Sequence, residues 1–274
     1  MVALTKRELW VTNACLTIAV VFALAPVVGI VLVALQVTSP GGGITSLTNL
    51  TLHNFSTAWA QGYMSDSLRS SAIIVAISVP TATLCCTLAG YAFGTMRWPG
   101  RGPLLGLFVF ALMIPIEGTL IPIYFIWRDV GIVDTYWAVI LTEVGYSMPF
   151  GVFWLSQAFR GVPRELLEAA RIDRASTWQT FRLVAGPMCM PAITTLAALQ
   201  FMWVWNDFLM PLVMISSQGR LTATVSLSFF QGEYVVNYTA LAAASVIVAL
   251  PVVTAYIFLQ RKFIAGFASG AVKA

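Results

Sequence analysis

Three carboxylic acids lie inside long apolar segments of the chain, where ionisable side chains are rare: Glu117, Glu143 and Asp207. A carboxylate at the lipid-facing centre of a bilayer costs about 2.5–3.5 kcal/mol, so each of these groups must face protein or water. Hydrogen-bonding and aromatic side chains accompany them in the same segments: Tyr146, Trp203, Trp205 and Asn206. Carboxylates accept hydrogen bonds from hydroxyl groups, and aromatic faces stack on apolar ring faces. We therefore predict that these residues line a polar pathway for a hydroxylated solute.

Two structural interpretations of the same acids stay open. Asp207 can brace a break in a helix, because its carboxylate can accept hydrogen bonds from the peptide groups that such a break frees. Glu117 and Glu143 can lie closer to the outer interface of the bilayer than to its centre, where a charged group is less costly.

The longest polar interruption of the apolar sequence spans residues 160–191 and holds five of the fifteen Lys and Arg residues. Pro163 suits the first turn of a helix, and the residues after it divide into a charged stripe and an apolar stripe, as in an amphipathic helix. Ser176 and Gln179 match the capping box of a second helix. We expect that helix to end at Pro187, which lacks a backbone N–H. The segment is therefore predicted to be a helix, a tight turn and a helix.

Composition indicates that these features belong to a membrane protein. The 274 residues are 59% hydrophobic and 9% charged, with a mean hydropathy of +0.85, whereas soluble domains are about 25% charged. A helix that crosses the hydrocarbon core needs about 20 apolar residues. Six segments qualify: residues 11–35, 70–94, 104–126, 136–158, 191–214 and 238–260. We predict an all-α membrane protein in which residues 1–274 form one domain of six transmembrane helices, with the polar loop between the fourth and the fifth.

Basic residues indicate the orientation of these spans. Twelve of the fifteen Lys and Arg residues fall on the side that carries both termini and the 160–191 loop. Because cytoplasmic loops are enriched in basic residues, we expect both termini and the loop to be cytoplasmic. The net charge of +4 then follows from topology and does not indicate a nucleic-acid partner.

The sequence contains no recognisable catalytic or metal-binding set. It has no glycine–lysine pair, so it lacks the phosphate-binding loop of nucleotide hydrolases. The only histidine, His53, has no second ligand at a suitable spacing, and the four cysteines show no paired spacing. We predict no enzyme activity, no metal and no cofactor in this chain.

The order of residues in the central loop resembles the EAA loop of permease subunits in bacterial ATP-binding-cassette importers. The matching residues are Glu168, Ala169, Ala170, Asp173, Ala175 and Pro187. Arg174, Val184 and Gly186 stand where the family has glycine, isoleucine and leucine. If the turn needs a left-handed residue, arginine at 174 costs about 1 kcal/mol relative to glycine. In this family the loop docks into a cleft on an ATPase subunit, so the resemblance implies that the matching residues and Arg174 couple this chain to an ATPase.

Other segments extend the resemblance over the whole chain. Asn54–Trp59 and the Trp205-Asn206-Asp207 sequence are similar to segments of this family. The two Ile-Pro steps at Pro115 and Pro122 resemble its carbohydrate branch, and the C-terminal tail is similar to that of the second, maltose-transport-like permease. The resemblance implies sugar import by alternating access in a bacterial plasma (inner) membrane. The implied partners are a second permease, an ATPase dimer that binds ATP and Mg²⁺, a periplasmic or lipid-anchored substrate-binding protein, and a carbohydrate. The outer loop from Ser216 to Asn237 is expected to contact the binding protein.

A different class of function stays open from the residues alone. A self-sufficient secondary transporter or a membrane enzyme could use Glu117, Glu143 and Asp207 as proton-binding groups. Secondary transporters usually contain an internal repeat, and the two halves of this sequence do not align. We therefore favour the importer subunit.

Overall fold

The computed structural model describes residues 6–37, 50–231 and 236–271, with side chains described from residue 7 and up to residue 258. The regular structure of these residues is helical, and they contain only two isolated strand bridges, Gln36 with Leu50 and Gln231 with Val236. The predicted all-α class is thereby confirmed. Residues 232–235 of the predicted docking loop and the last three residues of the tail lie outside the described residues.

Twelve α-helices occur in the described residues. The first six are α1 (Lys6–Leu35), α2 (His53–Gln61), α3 (Met64–Thr95), α4 (Arg101–Ala111), α5 (Ile116–Val130) and α6 (Tyr136–Arg160). The next six are α7 (Arg164–Ile172), α8 (Thr177–Thr180), α9 (Gly186–Asn206), α10 (Leu209–Met214), α11 (Ala223–Ser226) and α12 (Tyr238–Ala271). A π-helical turn, Phe181–Ala185, joins α8 to α9, and two short 3₁₀ turns, Gln218–Arg220 and Leu227–Phe230, flank α11.

The third predicted span is bent in the structure. Among the described residues, five helices are long and apolar enough to cross a membrane, and a sixth crossing results if α4 and α5 form one broken span. These two helices meet at 101°, so the structure differs from the uninterrupted helix predicted over residues 104–126. The break ends at Pro115, whose backbone is extended. Proline has no N–H for a helical hydrogen bond and disfavours helical geometry in the preceding residue, which accounts for the position of the break.

The fifth predicted span differs at both ends. Helical structure runs without interruption from Thr177 to Asn206, so the helix end predicted at Pro187 is wrong. Pro187 lies in the first turn of α9, directly after the π-helical turn, in which the Gly186 N–H donates to the Phe181 carbonyl. A local π turn is one way for a membrane helix to accommodate proline. The helix ends at Asn206, and α10 follows after a two-residue break.

The chain divides into two compact units. The first comprises residues 1–65 and 226–250. In this unit the buried Asn54 amide donates to the carbonyl oxygens of Ala34 (2.8 Å) and Gln36 (2.6 Å), which fixes the beginning of α2 against the end of α1. Two peptide carbonyls at the end of a helix thus obtain partners that the helix itself does not supply.

The second unit comprises residues 66–225 and 251–274 and contains the candidate sites. Here α3 and α6 approach closely because glycines replace side chains at their contact. A Cβ atom on Gly90 would lie 2.6 Å from the Cβ of Leu155, and one on Gly94 would lie 2.4 Å from the Cβ of Phe159. The Gly90–Gly94 pair has the four-residue spacing of small residues that lets membrane helices pack backbone to backbone.

This contact predicts the effect of a single methyl group. Gly94→Ala should destabilise the helix pair by about 1–3 kcal/mol, because the Phe159 backbone cannot move away as a flexible side chain would. Gly106→Ala in α4 is the matched control, since nothing lies within 4 Å of a Cβ at that position. Thermal unfolding in detergent should show a lower midpoint for Gly94→Ala and an equal or higher midpoint for Gly106→Ala. Equal midpoints for wild type and Gly94→Ala would contradict the close approach.

Candidate functional site

Two breaks in membrane helices meet at one cavity of about 640 Å³ in the second unit. One break separates α4 from α5, and its flanking residues Leu112 and Ile116 line the cavity. The other separates α9 from α10, and Asn206 and Asp207 line the cavity there. Irregular backbone at membrane depth is tolerated where it is buried in protein or lines a water-filled cavity, so the breaks and the cavity depend on each other.

Six of the seven residues predicted for a substrate pathway line this cavity. They are Glu117, Glu143, Tyr146, Trp203, Asn206 and Asp207. The seventh, Trp205, is 5% exposed and packs in the apolar core around Ile74 and Met214. Trp203 and Trp205 are two residues apart and therefore lie on different faces of α9.

Specific contacts orient the polar groups of the cavity. The carboxyl groups of Glu143 in α6 and Asp207 at the break after α9 line the same cavity and interact electrostatically. The Tyr146 hydroxyl is 2.6 Å from the Thr119 hydroxyl of α5. Trp203 remains 47% exposed, so part of its ring is free to contact a solute.

Asp207 also stabilises the break at which it lies. Its Oδ1 accepts a long hydrogen bond (3.5 Å) from the Met210 N–H, and its carbonyl oxygen accepts one from the Thr224 hydroxyl at 2.6 Å. These two hydrogen bonds support the bracing interpretation of Asp207. The pathway interpretation stays compatible with it, because Asp207 also lines the cavity.

The sequence interpretation missed the apolar part of the lining. Phe150 of α6 and Leu199 and Met202 of α9 belong to it. Helical spacing from the predicted residues identifies them: Phe150 lies seven residues after Glu143, and Leu199 lies seven before Asn206. The aromatic ring of Phe150 meets that of Trp203 edge to face, with centroids 5.2 Å apart.

The 160–191 segment forms a hairpin of α7 and α8. The Ala175 N–H donates to the Ala170 carbonyl at 2.9 Å, and the Arg174 N–H donates to the Arg171 carbonyl at 3.0 Å. This pair of bonds is the Schellman motif, which requires a left-handed residue after the helix end. Arg174 occupies that position with φ of +57°. The turn therefore does need a left-handed residue at position 174, where glycine would carry no steric penalty.

The second helix of the hairpin begins at the predicted capping box. The Gln179 N–H donates to Ser176 Oγ at 3.2 Å, and the Ser176 N–H donates to Gln179 Oε1 at 2.7 Å. Aromatic contacts attach this helix to the membrane helices. The ring of Phe181 lies 5.1 Å from that of Tyr91 in α3, and Tyr91 contacts Phe159 of α6 at 5.5 Å.

The charged groups of the hairpin are left without ionic partners. The ion pairs of Arg128 with Asp129 and of Arg220 with Asp134 involve no residue of the hairpin. Glu168 is exposed, although Arg164 and Arg171 lie at pairing distance along the helix. Ala169 is exposed as well, whereas Ala170 is buried within the chain, 8% exposed.

A second polar cluster lies outside the membrane spans, between α5 and α6. The Asp134 carboxylate accepts hydrogen bonds from the N–H groups of Ser216 (2.9 Å) and Ser217 (2.8 Å) and from the Ser217 hydroxyl. Arg220 donates to the Asp134 carbonyl and lies 3.7 Å from its carboxylate. These bonds to Ser217, more than the others, hold the pKa of Asp134 below its ordinary value. We call this set of residues the Asp134 clamp; it fixes the loop after α10.

Comparison with known proteins identifies the class. Residues 86–267 match the family model described as binding-protein-dependent transport system inner membrane component. The trehalose transport system permease protein of Mycobacterium tuberculosis is 30% identical over 260 residues, which is 94% of this chain and 95% of that protein. The arabinooligosaccharides transport system permease protein of Halalkalibacterium halodurans is 34% identical over 84% of each chain. The chain therefore belongs to the family of inner-membrane components of binding-protein-dependent transport systems.

A solved structure shows the same fold. The bacterial ABC transporter involved in the import of the acidic polysaccharide alginate has a chain that aligns with a TM-score of 0.81 at 19% identity, over 96% of this chain and 100% of that one. Family membership does not favour the alternative of a self-sufficient secondary transporter or a membrane enzyme, since the family is defined by its dependence on a binding protein.

The Asp134 clamp predicts how the loop after α10 responds to mutation and pH. Ser217→Ala should speed hydrogen exchange at the Ser216 and Ser217 amides, because a hydrogen bond to a charged group contributes about 1.5–3 kcal/mol. Since the pKa of Asp134 is depressed, the clamp is fully formed above the ordinary value of 3.8 and weakens as the pH falls through the lower folded-state pKa. Asp129→Asn, which removes only an exposed pair, is the control. Unchanged exchange in Ser217→Ala would contradict the clamp.

The left-handed conformation of Arg174 gives a second prediction. Arg174→Gly should stabilise the end of α7 by about 1 kcal/mol, because glycine adopts positive φ without a Cβ clash. Arg171→Gly, within the helix, should destabilise it by about the same amount. Exchange of the Ala175 amide, which donates to Ala170, reports both effects. Faster exchange in Arg174→Gly than in wild type would be inconsistent with the assigned turn.

Proposed function

We propose that the chain is a transmembrane permease subunit of an ATP-driven, binding-protein-dependent sugar importer. It forms half of the translocation pathway and couples to a separate ATPase through the 160–191 hairpin. The relatives named for trehalose and arabinooligosaccharide transport support a carbohydrate substrate. A polar cavity with hydroxyl-binding groups and an exposed indole is suited to such a solute.

One observation carries this proposal: a single helical segment, Thr177–Asn206, joins the hairpin to the cavity. It begins at the capping box of α8 and ends beside Asp207. Its 30 residues span about 45 Å, enough to cross a membrane. Movement of the hairpin is therefore transmitted directly to the break that lines the cavity.

An importer subunit of this kind works together with several partner subunits. A second permease completes the pathway as a heterodimer, and an ATPase dimer binds ATP and Mg²⁺ at the hairpin side. A periplasmic or lipid-anchored binding protein delivers the sugar at the opposite side, where the Asp134 clamp holds the beginning of the loop expected to contact it. The excess of basic residues at the hairpin side supports cytoplasmic termini in a bacterial inner membrane.

Alternating access then proceeds through the hairpin. ATP binding closes the ATPase subunits, the hairpins move with them, and the cavity opens outward to receive sugar. Glu168, Ala169, Asp173 and Arg174 are exposed and available for the docking surface. Ala170 instead packs inside the hairpin, because it is buried and its carbonyl oxygen accepts the hydrogen bond from the Ala175 N–H that closes the turn.

Ala169 is exposed and Ala170 is buried, and this difference decides which substitution tests coupling. Ala169→Trp should reduce sugar uptake and binding-protein-stimulated ATP hydrolysis severely, because a bulky group overpacks a docked interface at a cost of about 1–3 kcal/mol. Ala169→Ser, which keeps the position small, is the matched control. Glu168→Ala should act in the same direction but less completely, since within the helix its loss costs only about 0.2–0.5 kcal/mol.

The measurements are co-purification of the ATPase subunit, stimulated hydrolysis and uptake, with membrane insertion checked for every variant. Ala170→Trp is unsuitable as the decisive variant, since it would disturb the packing of the hairpin itself. If Ala169→Trp retains wild-type co-purification and stimulation, the hairpin is not the coupling surface.

A further inference from the structure

The cavity at the two helix breaks contains acidic groups and no basic ones. Glu117, Glu143 and Asp207 belong to its lining, and no lysine, arginine or histidine does. The other polar groups are hydroxyls and an amide, which stay neutral. Whatever the protonation state of the acids, no side chain of the lining can become positive.

None of the described basic residues lines the cavity. Arg128 and Arg220 pair with Asp129 and Asp134, and neither arginine lines the cavity. The arginines of the hairpin lie near the opposite end of the 30-residue helical segment that ends at Asn206. Arg174 is therefore roughly 45 Å from the cavity by helix length, far beyond the screening length of about 8 Å at physiological salt.

Burial disfavours an additional negative charge in the cavity. Glu143 is 8% exposed and lines the same cavity as Asp207, so a charged group that binds there is poorly hydrated. A carboxylate or phosphate on a solute would lose its hydration there without gaining an opposite charge. The hydroxyl groups of an uncharged sugar, in contrast, can donate to the same carboxyl oxygens.

From this arrangement we infer that the cavity admits uncharged saccharides and rejects saccharides that carry carboxylate or phosphate groups. Glu117, Glu143 and Asp207 are the specificity-determining residues that this half of the pathway contributes. This inference rests on the proposed function, since it takes the cavity as the pathway, and it adds the charge class of the substrate. It separates this chain from an importer of an acidic polysaccharide with the same fold.

The test measures the electrostatic potential of the cavity and does not depend on the identity of the sugar. A cysteine replaces Met202, which lines the cavity, in the complete importer, with Cys15 and Cys85 changed to alanine because they are not buried. Modification rates are measured with a neutral and an anionic methanethiosulfonate of similar size. The same two rates at Gln61→Cys, an exposed position outside the lining, provide the reference.

The anionic-to-neutral rate ratio should be at least about tenfold lower at Met202→Cys than at Gln61→Cys, an effect of the size that one nearby uncompensated charge produces. Adding Glu117→Gln, an exposed substitution that leaves the packing intact, should raise the ratio severalfold. Adding Glu143→Gln and Asp207→Asn, which keep hydrogen-bonding groups, should raise it further toward the reference. Equal ratios at Met202→Cys and Gln61→Cys would overturn the inference. A low ratio that survives neutralisation would overturn it too, because the potential would then come from another subunit.

A second measurement distinguishes failure of this inference from failure of the proposed function. Binding-protein-stimulated ATP hydrolysis by the wild-type importer tests the function itself. If stimulation is present and the ratios are equal, the importer function stands and the charge selectivity is wrong. If stimulation is absent while the ratio is low, the cavity is acidic but does not belong to an importer pathway.

Discussion

Peptide groups that leave a helix inside a membrane must find new hydrogen-bond partners, because hydrocarbon offers none. This constraint organises the second compact unit. At Pro115 the missing N–H removes one of the groups to be satisfied. At Asp207 the residue supplies its own carboxylate to the Met210 N–H and receives the Thr224 hydroxyl at its carbonyl. Both helix breaks line the cavity, and Asp207 stabilises one of them. Part of the acidic character of the cavity therefore arises from the need to stabilise a broken helix.

The connection between hairpin and cavity depends on residues that depart from the family pattern. Gly186 stands where the resemblance to the EAA loop leads us to expect leucine, and a Cβ atom there would lie 2.8 Å from the Phe181 carbonyl oxygen. That carbonyl accepts the Gly186 N–H in the π-helical turn, so glycine permits this hydrogen bond. Arg174 departs in the opposite sense, because it occupies a left-handed position that favours glycine. Gly186 avoids a steric conflict and Arg174 introduces one, twelve residues apart in the same segment.

Features encoded by local sequence were predictable, and those set by tertiary contacts were not. The capping box at Ser176 depends on neighbours within a few residues and was predicted. The left-handed conformation of Arg174 was only a condition that the family's glycine raised, and the structure has it. The continuation of the helix past Pro187 depends on a π-helical turn. The length of an apolar segment does not indicate whether such a turn forms. Six of the seven residues predicted for the pathway line one cavity. The three acids among them must avoid lipid, which is why the sequence could indicate their position. Trp205 has no such requirement, and its burial follows from the helical face on which it lies.

The distribution of charge shows what the chain satisfies by itself and what it leaves to others. At the Asp134 clamp the carboxylate receives backbone, hydroxyl and arginine partners from one loop, and that surface is preorganised. On the hairpin, Glu168 and the neighbouring arginines form no ion pair within the described residues. The acids of the cavity likewise have no cation among the lining groups. Because unsatisfied charges oppose burial unless a partner compensates them, the two surfaces with free charge are those that can gain most from contact with another molecule. A macromolecular partner fits the exposed hairpin, and a small hydroxylated solute fits the cavity.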